Sequence, residues 1–91
     1  MGDLILNKVY RIYTEDLNRE EILRLTAKKF ESFTLQPTTG YSPGRGEKSI
    51  VLEIVEVRRK DITALANGIR KLHGQKSVLI MRLSGKAEKI D

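Results

Sequence analysis

The part of this chain best suited to binding chemistry is a glycine-rich stretch at residues 38–49, which holds three of its seven glycines. Backbone N–H groups of such a stretch can cradle a phosphate, and Arg45 and Lys48 supply positive charge. The stretch lacks the GxxxxGK[ST] and GxGxxG patterns and leads into an expected strand, so no helix dipole assists. Two interpretations stay open, a flexible hairpin connection and a ligand-binding loop formed by Gly40, Gly44, Arg45 and Lys48.

Two carboxylates and one aromatic residue belong to the same region. Glu47 and Glu53 are its only acids, and as a pair they could act as acid and base or hold a divalent cation. Because no Asp or His motif supports them, catalysis is the minor alternative, and we predict no metal and no cofactor. Tyr41 could stack on a base or pack into the protein as a plug, and packing is the favoured interpretation.

The elements that must position these residues follow from hydrophobic periodicity. The sequence predicts the order β-α-β-β-α-β, the ferredoxin-like arrangement of an antiparallel sheet with both helices on one face. Asn18 with Glu21 resembles a capping box for the first helix, Asp61 can cap the second, and Gly74 should end it. The predicted strands are 9–14 (extending towards residue 4), 34–39, 49–57 and 77–83, the first helix is 19–32, and residues 85–91 of this single domain are a frayed tail.

Alternation along the strands predicts which side chains face the helices. The helix-facing set is Tyr10, Ile12, Ile50, Leu52, Ile54, Leu79, Met81 and Leu83. The opposite set is Val9, Arg11, Tyr13, Val51, Glu53, Val55, Val78, Ile80 and Arg82, of which six are apolar or aromatic. A small monomer rarely exposes so large an apolar patch. The pattern therefore predicts a homodimer through this open face.

Three charged residues interrupt the predicted open face, namely Arg11, Glu53 and Arg82. Neighbouring strands would place Arg11 beside Glu53. Two interpretations remain open, a salt bridge that fixes the register of two subunits and a charged cluster that lines a ligand pocket.

Composition excludes several classes of protein. The chain has no cysteine and one histidine, so disulfides and multi-histidine metal sites are excluded. No apolar run approaches the roughly 20 residues of a membrane span, and the first residues do not resemble a signal peptide. These features predict a cytoplasmic protein without membrane contact. The net charge of +5 favours anionic partners only weakly.

Recognition of single-stranded RNA is disfavoured. Tyr10 and Tyr13 lie on the first strand, but the central strand carries Glu53 where RNA-recognition domains place stacking aromatics. The basic run Arg58-Arg59-Lys60 could contact a nucleic-acid backbone, although a solvated turn is the more common role of such a run.

Residues 40–54 resemble a pattern in small uncharacterised phage and mobile-element proteins, in which a glycine, an aromatic and another glycine precede Glu-x-Ser and a strand with a central Glu. Residues 74–80 resemble their Gln-Glu-(Ala/Ser)-Val-Leu segment. Here Tyr41 stands in place of the usual tryptophan and Lys76 in place of the acid. The resemblance implies a phage or viral accessory protein that acts in the host cytoplasm, with interference in host defence as one role.

These observations lead to a prediction of function. We expect a non-enzymatic homodimeric module that binds an anionic ligand, either a nucleotide or a nucleic-acid backbone. The alternatives are an inhibitor that docks on another protein and a small phosphodiester hydrolase using Glu47 and Glu53. The predicted ligand-binding residues are Arg11, Gly40, Tyr41, Gly44, Arg45, Lys48, Glu53 and Arg82.

Overall fold

The computed structural model describes residues 4–55, 58–75 and 78–88. Its elements follow the predicted β-α-β-β-α-β order and form one antiparallel sheet with strand order β2-β3-β1-β4, so the ferredoxin-like α+β fold is confirmed. Within the described residues, no helix is both long and apolar enough to cross a bilayer. The elements are β1 (Leu4–Glu15), α1 (Arg19–Lys29), β2 (Thr34–Ser42), β3 (Arg45–Val55), α2 (Arg59–His73) and β4 (Leu79–Glu88).

The hydrophobic core lies between the sheet and the two helices. β1 and β3 bury Tyr10, Ile12, Ile50, Leu52 and Ile54, all within 1% of complete burial, as the alternation predicts. From the helices, the fully buried aliphatic side chains are Ile22, Ile62, Leu65 and Ile69.

The glycine-rich stretch is more regular than predicted, because most of it is strand. Gly40 pairs with Glu47 and Gly46 pairs with Tyr41 in the β2–β3 ladder. Only Gly44, at φ 77°, requires the left-handed conformation, and it forms a tight turn with Pro43. The prediction of a loop at 40–46 is therefore wrong. Pro37 lies on the edge strand β2 as expected, because proline cannot donate to a ladder on both sides.

The termini of several elements differ from the predictions, and α1 ends at Lys29 rather than at residue 32. Asn18 is left-handed (φ 53°) and makes no side-chain cap, so the capping box is not formed; Arg19 instead pairs with Asp16 before α1. α2 begins at Arg59, and Asp61 pairs with Arg58 in its first turn rather than capping it. β4 continues to Glu88 because its polar end pairs with the first residues of β1, so residues 85–88 are not frayed, while 89–91 lie outside the described residues.

One glycine inside α2 and the glycine that ends it give a paired prediction of stability. At Gly68 a Cβ would meet only Leu25 Cδ1, at an ordinary 3.8 Å. Gly68→Ala should therefore raise the free energy of unfolding by about 0.5–1 kcal/mol, since alanine loses less backbone entropy on folding. Gly74 caps the helix at φ 65°, and Gly74→Ala should lower the same quantity by about 1 kcal/mol. Urea denaturation of both variants measures the effect, and changes of the same sign would contradict these backbone assignments.

Candidate ligand-binding site

A concavity of about 570 Å³ lies at the base of the β2–β3 hairpin, beside the ends of β1 and α2 and the start of β4. Its volume lies in the usual range for small-molecule sites. Most of its lining comes from hydroxyl-bearing or apolar side chains. The lining residues are Tyr13, Thr14, Glu15, Thr38, Thr39, Gly40, Ser49, Val51, Gln75, Val78 and Leu79.

One wall of this cavity comes from the hairpin itself. Thr38 of β2 lies directly opposite Ser49 of β3, and Ser49 Oγ donates to the carbonyl oxygen of Glu47 at 3.5 Å. A Cβ at Gly40 would stand 3.3 Å from Ser49 Oγ. The absence of a side chain at Gly40 therefore keeps the space beside the Ser49 hydroxyl open, which is a narrower role than the predicted phosphate cradle.

The facing wall is held by hydrogen bonds between β1 and the end of α2. Thr14 donates from Oγ1 to Gln75 Oε1 at 3.3 Å, and the same oxygen lies 3.1 Å from His73 Nδ1. His73 Nε2 donates to the carbonyl oxygen of Leu17 at 2.6 Å, and Gln75 Nε2 donates to Glu15 Oε1 at 2.9 Å. His73 thus ties the turn after β1 to α2.

Most of the charged side chains near the cavity line the clefts beside it rather than the cavity itself. Among the described lining side chains, Glu15 is the charged one. Lys48 lies in two adjoining clefts, one of them shared with Asp16 and Arg19. The Arg19 hydrogen bond lowers the pKa of Asp16, which keeps that pair ionised. Lys48 is therefore the candidate cation nearest the hairpin base, while the Arg45 side chain lies outside what the structure describes.

The predicted Arg11–Glu53 pair is present on the open face of the sheet. The residues lie opposite each other on β1 and β3, and Arg11 Nε donates to Glu53 Oε1 at 2.8 Å. This hydrogen bond raises the pKa of Arg11. Both side chains are partly exposed in the single chain, at 40% and 36%. They border a second cleft, of about 240 Å³, which shares Tyr13 and Val51 with the main cavity.

The predicted orientation of β4 is wrong by one residue. Arg82 lies opposite Tyr10 and Ile80 opposite Ile12, which places both on the helix side. Met81 lies opposite Arg11, so Arg82 does not join the Arg11–Glu53 pair. The open face instead gains the exposed side chains of Leu79, Met81 and Leu83.

The predicted catalytic pair is not assembled. Glu47 and Glu53 lie six residues apart on the continuous strand β3, which separates them by about 20 Å at roughly 3.3 Å per residue. In glycosidases, the best-characterised enzymes with a catalytic carboxylate pair, the two groups are less than about 10 Å apart. Among the described residues, no cluster of three or more His, Cys, Asp or Glu side chains could hold a metal ion.

Tyr41 and Gly44 lie towards the hairpin tip, beyond the cavity. The Tyr41 side chain is 85% exposed. It runs alongside Gly46, where a Cβ would meet Tyr41 Cε1 at 3.4 Å. The prediction that Tyr41 packs into the protein is therefore wrong.

Comparison with solved structures shows what this chain is similar to. The nitrogen regulatory PII-like protein CPII from Thiomonas intermedia, bound to ADP, AMP and bicarbonate, matches with a TM-score of 0.66 and 14% identity over 98% of this chain and 100% of that one. A putative PII-like signalling protein from Thermus thermophilus matches with a TM-score of 0.61 and 17% identity over 93% and 91%. CutA from Synechococcus elongatus, complexed with Bis-Tris, matches with a TM-score of 0.63 and 11% identity over 93% and 89%.

The likeness is one of fold. No protein-family model and no curated protein matches the sequence. The three structures above span nearly the whole chain in each direction, so the ferredoxin-like arrangement is shared from β1 to β4.

Proposed function

We propose that this chain is a non-enzymatic module that binds an adenine nucleotide at the base of the β2–β3 hairpin. The observation that carries the proposal is the cavity of about 570 Å³ with a hydroxyl-rich hairpin wall. It is supported by the shared fold with CPII, a protein whose structure holds ADP, AMP and bicarbonate.

The lining suits the three parts of a nucleotide. Tyr13, Val51 and Leu79 offer an apolar surface to a base. Thr38 and Ser49 offer hydroxyl groups that donate or accept hydrogen bonds to ribose and phosphate oxygens. Lys48, in the adjoining clefts, supplies the positive charge for a phosphate.

We also propose that the open face of the sheet is covered by further copies of this chain. Seven of its side chains are apolar or aromatic, and they surround the Arg11–Glu53 pair. These are Val9, Tyr13, Val51, Val55, Leu79, Met81 and Leu83. Burying such a patch is favourable by roughly 25 cal/mol per Å² of apolar surface. Because Tyr13, Val51 and Leu79 also line the cavity, self-association would enclose the ligand from the open side.

One observation favours a second candidate function, docking on another protein. Tyr41 exposes 85% of its side chain near the end of the hairpin, and exposed tyrosines are frequent anchors of protein interfaces. The phage accessory role implied by the sequence resemblance stays a prediction.

A substitution at Gly40 tests the nucleotide site. Gly40→Val should place methyl groups against Ser49 and so fill the space at the hairpin wall of the cavity. The apparent affinity for ADP should then fall by roughly tenfold or more, which makes the ADP-induced rise in melting temperature smaller. Thermal shift with ADP, AMP and inorganic phosphate measures this effect. Thr63→Val, on the exposed side of α2, is the control and should bind as the wild type does. If no nucleotide raises the melting temperature of the wild type, the proposal is wrong.

A further inference from the structure

The outer side of α2 concentrates the positive charge of the protein. From its N-cap to its end, α2 carries five cationic side chains and one carboxylate, a net charge of +4, whereas the whole chain carries +5. The carboxylate of Asp61 is already paired with Arg58, at 3.4 Å. The remaining cations are Arg59, Lys60, Arg70 and Lys71.

These charges form two groups, one at each end of the helix, and the exposed residues between them are small and uncharged. Lys60 and Lys71 are both exposed and lie opposite the buried stripe of Ile62, Leu65 and Ile69. At about 1.5 Å of rise per residue, the eleven residues from Lys60 to Lys71 cover about 16 Å. The exposed positions between them carry only small side chains, Thr63, Ala64 and Asn67.

The stability of the helix does not account for this pattern. Arg58, Arg59 and Lys60 lie at the positive end of the helix dipole, where cations are unfavourable. Acidic side chains at the exposed positions of α2 would balance them, but the sequence provides none there. A surface that retains unfavourable like charges at this density is suited to an extended polyanion.

We propose that the outer side of α2 binds the phosphate backbone of double-stranded nucleic acid. The major groove of a DNA duplex is about 12 Å wide, so the two basic ends can reach the phosphates on either side of a groove while the small central residues lie over it. A membrane surface would need large apolar side chains beside the cations, and Thr63, Ala64 and Asn67 provide none. This surface lies on the helix side of the sheet and is independent of the proposed nucleotide site.

Binding of a short fluorescent DNA duplex, followed by anisotropy between about 50 and 200 mM salt, tests the proposal. Each phosphate contact contributes about −0.9 to the slope of log K against log salt. Lys60→Gln with Lys71→Gln should weaken binding uniformly across sequences and reduce the magnitude of the slope by about 2.

The control removes the same net charge from the strands. Arg11→Gln with Lys48→Gln should leave the slope close to that of the wild type, because Arg11 lies on the open face of the sheet and Lys48 lies beside the hairpin, both away from the outer side of α2. An equal loss in both double variants would show that net charge alone drives binding and would overturn the proposal. It would equally be overturned if the wild type failed to bind the duplex, or if it bound vesicles containing phosphatidylserine more tightly than the duplex. Adenine nucleotide binding should be unchanged in Lys60→Gln/Lys71→Gln, which separates this proposal from the nucleotide site.

Discussion

Replacing Val55 with lysine is expected to convert the proposed assembly of this chain into a folded monomer. Val55 is 44% exposed on the open face, in a row with Val9 and Leu83. A lysine there can extend into water from a single chain, but it would be buried without a partner charge in an assembly, which is strongly unfavourable. Light scattering should give the monomer mass, with a circular dichroism spectrum like that of the wild type.

Ile80→Lys is the matched control, because Ile80 points the other way. It lies opposite Ile12 and packs against the core beneath the helices. Its replacement by lysine should cause loss of the folded spectrum rather than dissociation. A wild-type protein that is monomeric at micromolar concentration would contradict the assembly proposal. Dissociation by Ile80→Lys with the fold retained would contradict the register of β4.

Leu52→Ala should cause a large loss of stability while leaving the protein folded. Leu52 is fully buried at the centre of the sheet, opposite Ile12 on one side and Leu35 on the other. Removing its side chain should lower the free energy of unfolding by about 2–5 kcal/mol, because the transfer energy is lost and a cavity remains. That is a large part of the roughly 5–15 kcal/mol that stabilises a typical domain.

The edge of the sheet provides the comparison for this core variant. Leu35→Ala makes the same chemical change one strand away, where the side chain is only partly buried. Chemical denaturation should show a clearly smaller loss for Leu35→Ala than for Leu52→Ala. Equal losses would mean that the edge strand is as tightly packed as the centre.

The strands and helices were predictable wherever one face alone is apolar. β1 and β3 alternate between core residues and mixed residues, so the orientations of Ile12 and Leu52 follow from the sequence. Val78 and the first residues of β4, Leu79 to Met81, are all apolar, so both faces of the strand are apolar at its start. If β4 were shifted by one residue against β1, it would bury a similar apolar surface. The sequence therefore does not decide the orientation, and only the folded structure shows that Ile80 points towards the core.

Local signals at the ends of elements were less reliable. The glycines at 40 and 46 suggest a loop, yet the strong β-forming run of β3 and its cross-strand partners extend the ladder past both of them. The polar residues at 84–88 lack any strand signal of their own. They pair because the start of β1 lies alongside them.

The candidate site was only partly predictable. Gly40 lies in the cavity and Lys48 beside it, as the sequence suggested, but the side chains of Thr14 and Gln75 meet there from positions 61 residues apart. Their types carry no distinctive spacing, and no pattern in a single sequence could have joined them. The Arg11–Glu53 pair was predictable because it follows from strand adjacency alone.

Titration of the isotopically labelled protein with ADP, followed by amide chemical shifts, tests the central claim most directly. The account predicts saturable shifts centred on Thr38, Thr39, Ser49 and Gln75, the residues that line the cavity, with little change along the outer side of α2. Saturable shifts centred instead on Lys60 and Lys71, or no shifts at all, would contradict the proposed site.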